Sequence, residues 1–99
     1  MRLDQHQREI IREEVGRAFG PHASVQLFGS RLDDARRGGD VDLYIEANGT
    51  PSELLDRELS LYAGLQKRLG EQRIDIVVHG RGSPLRAVDR HARATGVAL

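Results

Sequence analysis

Leu3, Gln7, Ile10, Ile11, Val15 and Ala18 recur at helical spacing and predict an amphipathic helix over about residues 4–19. Gly20-Pro21 supplies its stop, a permissive residue followed by a breaker. Val25-Gln26-Leu27-Phe28 is a short β-prone run that ends at Gly29, and Ser30 is placed to cap one or two helical turns reaching Arg37. Gly38-Gly39 marks a loop. From Val41 the pattern alternates strictly: Val41, Leu43 and Ile45 share one face, while Asp40, Asp42, Tyr44 and Glu46 share the other. Asn48-Gly49 ends this second strand. Thr50-Pro51-Ser52-Glu53 then carries the marks of a helix start, with Thr50 as N-cap, Pro51 at the first helical position and Glu53 closing a capping box. Leu54, Leu55, Leu59, Tyr62, Leu65 and Leu69 carry that helix to Gly70. Arg73 to Val78 reads as a third strand, and Ser83-Pro84 as the opening of a last short helix toward Thr95.

The order helix, strand, short helix, strand, helix, strand, helix predicts an α/β fold, a small sheet packed with α-helices. The connection through residues 30–39 is short for a crossover, so a mixed β-sheet is expected.

Composition narrows this picture. A chain of 99 residues is expected to form one domain over residues 1–99 with a modest core. No run approaches the roughly 20 apolar residues of a membrane span, and Met1 to Ile11 carries no signal-peptide apolar block. The absence of cysteine excludes disulfides and thiolate chemistry and fits a cytoplasmic protein. Fifteen basic and 15 acidic side chains balance, which speaks against a general nucleic-acid binder. Lys67 is the sole lysine, a bias that reads as genome composition rather than chemistry.

Three acids sit on strands, where acids are uncommon. Asp40 and Asp42 flank the core-facing Val41 and project from one face about 7 Å apart. Asp75, between Ile74 and Ile76, lies opposite the core-facing residues of the third strand. If those strands are neighbours, three carboxylates converge, an arrangement that needs a cation between them. Mg²⁺, a hard ion with oxygen ligands, is the natural occupant. A lone Asp-x-Asp is more often a solvated strand edge, and the segment upstream is what changes the reading. Gly29-Ser30 follows a hydrophobic strand and precedes a helix start, so backbone and hydroxyl together suit a phosphate.

Gly-Ser, a short spacer, Asp-x-Asp and a third acid on a later strand together resemble the signature of the DNA polymerase β-like nucleotidyltransferase superfamily. Leu27-Phe28-Gly29-Ser30-Arg31 through Gly39-Asp40-Val41-Asp42-Leu43 resembles its minimal branch, the MNT nucleotidyltransferases, and Arg73-Ile74-Asp75-Ile76-Val77-Val78 resembles the third-acid strand. Gly38-Gly39 stands where polar residues are common in that family, the one departure in the motif.

The resemblance implies transfer of a nucleoside monophosphate, AMP from ATP, onto a hydroxyl with release of pyrophosphate. It implies that Gly29 and Ser30 hold the triphosphate with Arg31 as a further phosphate contact, or as a plain helix-surface arginine. It also implies that Asp40, Asp42 and Asp75 hold two Mg²⁺ ions, with Asp75 on the side of the acceptor hydroxyl. Larger relatives append a domain for the acceptor, for which 99 residues leave no room, so the acceptor is expected on a partner. Stand-alone MNT proteins pair as antitoxins with HEPN ribonuclease toxins, and some adenylylate a toxin tyrosine. An MntA-type antitoxin is therefore the leading expectation. The alternative is a binding module that neutralises its partner by complex formation without chemistry.

Other residues carry weaker signals. Arg86 to His91 matches the Arg-x4-His pattern of HEPN ribonucleases, a pattern that arises easily in an Arg-rich helix. His79, just past the third strand, either touches the site or lies at the surface, the expected reading; His6 and His22 lack ligand-like spacing, and Tyr44 either lines a base pocket or packs against a helix. Asp33 and Asp34 suit the first turn of the short helix. Glu46 lies about 13 Å beyond Asp42 and is left out of the metal site. Asn48-Gly49-Thr50 matches a glycosylation sequon but reads as a turn. Residues 80–99 hold Arg81, Arg86, Arg90 and Arg93 against Asp89 alone, either a solvated basic helix or a surface for an acidic partner or RNA. Leu85, Val88 and Ala92 are expected to dock that helix on the core.

Overall fold

The computed structural model describes residues 3–28 and 41–99. Helix α1 spans Gln5–Phe19, strand β1 Ser24–Leu27, β2 Val41–Ala47, helix α2 Pro51–Leu69, β3 Ile74–Gly80, α3 Ala87–Thr95 and β4 Val97–Ala98. The short helix expected after Ser30 lies outside the described residues.

Local chemistry explains where the helices begin and stop. Asp4 caps α1 by accepting from the Gln7 amide at 2.7 Å, while the Gln7 side chain accepts from the Asp4 amide at 3.0 Å. Thr50 and Glu53 close the same reciprocal pair ahead of α2, with Pro51 at the first helical position. Gly70, at φ +86°, takes the left-handed backbone that ends α2, a conformation strained for any residue with a Cβ.

The strand order is β3-β2-β1-β4. β1 runs antiparallel to both β2 and β4, and β2 runs parallel to β3. The sheet is therefore mixed, as the short 30–39 connection implies. One face carries Val41, Leu43 and Ile45, all fully buried beneath Ile10, Ile11 and Val15 of α1 and Leu54, Leu61 and Leu65 of α2. Fully burying each such aliphatic stabilises by roughly 1.5–3 kcal/mol. Gly64 lets the two helices approach closely, since a Cβ there would run into the Glu14 carboxylate. Glu14 is itself buried between the helices and pairs with Arg17 at 2.9 Å and Arg68 at 3.1 Å. Burial pushes its carboxyl up, but those hydrogen bonds outweigh burial and hold it below its ordinary value.

The other face holds a smaller apolar cluster of Phe28, Tyr44 and Ala92, with Val77 against it. Helix α3 lies on this face, so helices cover both sides of the sheet. It begins at Ala87, later than Ser83-Pro84 suggests, because Ser83 is spent in a turn: its amide donates to the Gly80 carbonyl at 3.0 Å. Val88 is 36% exposed and does not dock the helix; Ala92 and Asp89 do, both fully buried. The Asp89 carboxylate accepts from the Arg86 amide at 2.7 Å, from Nε at 3.0 Å and from Nη2 at 2.9 Å. Arg86 Nη2 also donates to the Val78 carbonyl at 2.9 Å, which ties α3 to β3. Hydrogen bonding from Arg86 outweighs burial and holds the Asp89 carboxyl below its ordinary value. The stability this confers is complete above about pH 4, where the unfolded carboxyl is ionised, and is lost as pH falls through the lower folded value.

Asp89→Ala is expected to cost about 2–3 kcal/mol in urea unfolding at pH 7. The gap from wild type should narrow as the solution is acidified below about pH 4.

Candidate active site

Strands β2 and β3 place Asp42 opposite Asp75 in parallel register. Directly paired residues on adjacent strands project to the same face about 4.8 Å apart, so the two carboxylates stand side by side. Asp75 is exposed and Asp42 half-buried. The Phe28 amide donates to the Asp42 carbonyl at 3.0 Å, extending the β1–β2 ladder by one residue and setting Phe28 on the far side of Asp42 from Asp75. A row of Phe28, Asp42 and Asp75 thus crosses three strands. Gly29 is the next residue along the chain from Phe28. Gly29, Ser30, Arg31 and Asp40 themselves lie outside the described residues.

Two rows further along, the face is occupied by structural groups. Tyr44 is buried, packs edge-on against Phe28 with ring centroids 6.4 Å apart, and donates its hydroxyl to Glu46 at 2.9 Å. Burial is the main reason its phenol lies above its ordinary value. Tyr44 therefore packs beneath α3, the second of its two sequence readings. Glu46 accepts from Arg93 Nε at 2.6 Å, a second tie between α3 and the sheet. His79 is 4% exposed, not the surface residue its place after the strand suggests, because β3 continues to Gly80. Its Nε2 donates to the Ser83 carbonyl at 3.0 Å, and its Nδ1 lies 4.0 Å from Glu46. His79 pairs across the sheet with Glu46, four residues beyond the acid pair, and so stands apart from it.

The tail arginines divide in the same way. All four are exposed, and Arg86 and Arg93 are committed to Asp89 and Glu46. The Arg-x4-His match is thus structural at its arginine. Sequence reading missed Asp89 as a buried anchor. Its signal is its position three residues after Arg86, where a carboxylate accepts from the amide ahead of the helix.

The donor chemistry of Asp42 and Asp75 fits a hard divalent cation, with two carboxylates in one row. Among the described residues no group of three or more His, Cys, Asp or Glu side chains is placed to hold a metal ion. Among them, too, no helix is long and apolar enough to cross a membrane.

A family model described as a nucleotidyltransferase domain matches residues 8–84, from the first turns of α1 through β3. That span takes in both acids of the pair. A comparison with curated proteins finds none that matches the chain.

Asp75→Asn removes an exposed charge and leaves the core intact, so its unfolding free energy should stay within about 0.5 kcal/mol of wild type. A circular-dichroism urea titration in metal-free buffer checks this.

Proposed function

The chain belongs to the nucleotidyltransferase domain family, and from that premise we propose that it moves AMP from ATP onto a tyrosine hydroxyl of a partner HEPN ribonuclease toxin and so acts as a cytoplasmic antitoxin. The observation that supports a working site is the parallel register of Asp42 with Asp75.

In this reading Gly29 and Ser30 hold the triphosphate and Arg31 contacts a phosphate. Asp40, Asp42 and Asp75 hold Mg²⁺, two ions in all, which supplies charge neutralisation to the phosphates. The chain's own part is alignment. The acceptor oxygen bonds to the α-phosphorus while the bond from that phosphorus to the bridging oxygen breaks opposite it. Pyrophosphate leaves with that bond's electron pair, and the hydroxyl proton passes to the Asp75 carboxylate. Asp75 suits the acceptor side because it is exposed on β3, an outer strand among the described residues, whereas Asp42 sits one strand further in.

Incubation of the protein with α-³²P-labelled ATP, Mg²⁺ and the toxin should label the toxin. Asp40→Asn/Asp42→Asn and Asp75→Asn should fold yet lower labelling by at least about 10²-fold, the scale expected for loss of a positioned catalytic group. Undiminished labelling by both variants overturns the assignment. Toxin neutralisation that survives loss of the acids would favour complex formation without chemistry.

A further inference from the structure

β3 is an outer strand of the sheet, with β2 as its neighbour among the described residues. Its seven residues, Ile74–Gly80, carry neither proline nor lysine, the usual guards of an open edge. The backbone bonds show which groups face out. The Arg73 carbonyl accepts from Val41, and the Arg81 amide donates to Ala47, so the odd-numbered positions bond to β2. Ile74 and Ile76 therefore turn their amides and carbonyls toward the open edge, as Val78 does its amide, while the Val78 carbonyl accepts from Arg86 Nη2.

Beside this edge, α2 carries a second apolar stripe. Leu55, Leu59 and Tyr62, at spacing i, i+4 and i+7, are 54%, 59% and 44% exposed. Two cavities of about 330 and 390 Å³ run between that stripe and β3, the first at Val78 and the second at Ile74 to Ile76. Glu58 lines both. Among the described residues the flank thus offers the backbone of Ile74 and Ile76 without a strand partner, together with apolar walls and an acidic group.

We infer that this edge receives the acceptor as an extended polypeptide, which adds to β3 as a further strand. The inference rests on the nucleotidyl-transfer reading above and names how its substrate docks. An added strand extends the row Asp42–Asp75 by one place, about 4.8 Å on. The residue paired with Asp75 then projects on the acid face, and a hydroxyl there meets the carboxylates. Its two neighbours project to the opposite face, against Leu59 and Tyr62. Charge decides their kind: an arginine beside Ile76 lays its stem on the apolar stripe and its head at Glu58, while a β-branched residue fits beside Ile74. On this edge the tyrosine oxygen bonds to the α-phosphorus of ATP, pyrophosphate departs and the proton passes to Asp75.

The probe is the capped peptide Thr-Val-Tyr-Arg-Thr-Val, together with two analogues N-methylated at alternating backbone amides. Binding to the full chain is followed by amide hydrogen exchange without nucleotide. The parent peptide should protect the Ile76 and Val78 amides. One analogue should bind like the parent, since its methyl groups face away from β3, and the other should bind about tenfold or more weakly. Leu59→Arg, at an exposed position, should weaken the parent peptide to a similar degree. Absence of protection, or equal behaviour of the two analogues, overturns the proposal. Protection already present in the free protein, with a sedimentation mass of a dimer, also overturns it, because a second copy then fills the edge. Adding Mg²⁺ and ATP separates the two readings. Edge protection without AMP on the peptide tyrosine leaves the docking standing and counts against transfer, while AMP on the tyrosine without edge protection overturns the docking alone.

Discussion

The parallel pairing of β2 with β3, in the register that sets Asp42 against Asp75, is the constraint on which the candidate site depends. Two carboxylates directly opposed on a sheet repel each other, at a cost of roughly 0.2–1 kcal/mol. The core outweighs this. The same register aligns Val41 with Ile74, Leu43 with Ile76 and Ile45 with Val78 beneath α1 and α2. Each buried aliphatic in that layer is worth about 1.5–3 kcal/mol. A slip of β3 by one residue would send Asp75 into the core and its aliphatics onto the open face, because side chains alternate with a period of two. Hydrophobic packing on one face thus dictates where the charges fall on the other.

The remainder of the acid face is closed by α3. Ala92 packs on Tyr44 and Phe28, and the helix is fastened to the sheet at two points, by the Arg93–Glu46 ion pair and by the hydrogen bond from Arg86, itself held by Asp89, to the Val78 carbonyl. These ties lie over the rows of Tyr44 and Glu46, which leaves Asp75 exposed at the outer strand. The formal neutrality of the chain is in this sense an average over unlike regions. Acids gather in one row, while two of the tail arginines are consumed in holding the helix that borders it.

Much of this was legible in the residues. Strict alternation from Val41 assigns the faces of β2, and the Thr50-Pro51-Ser52-Glu53 start is realised atom for atom in its capping box. The neighbouring of β2 and β3 was only a condition, since pairing partners are tertiary facts and no local pattern specifies them. The buried Asp89 and His79 were hidden for a related reason. Their environments come from α3 folding back on the sheet, and a charged or imidazole side chain read alone suggests solvent. Leu55, Leu59 and Tyr62 mark the helix correctly, but the apolar pattern does not tell its two faces apart: Leu54, Leu61 and Leu65 form the inner face and leave these three outside. Strand β4, two residues long, offers too short a pattern to detect. Of the six residues assigned to nucleotide and metal, Asp42 and Asp75 are the two that the described residues include.

The most direct test of the central claim is paramagnetic broadening of backbone amide signals by Mn²⁺ in the presence of ATP. If Asp42 and Asp75 together face the bound ion, the amides of residues 42, 43, 75 and 76 should broaden first, and those of Ala47 and Gly80, at the far ends of the same strands, should stay sharp. Broadening that spares residues 42 and 75, or that centres on another face of the protein, would contradict the account.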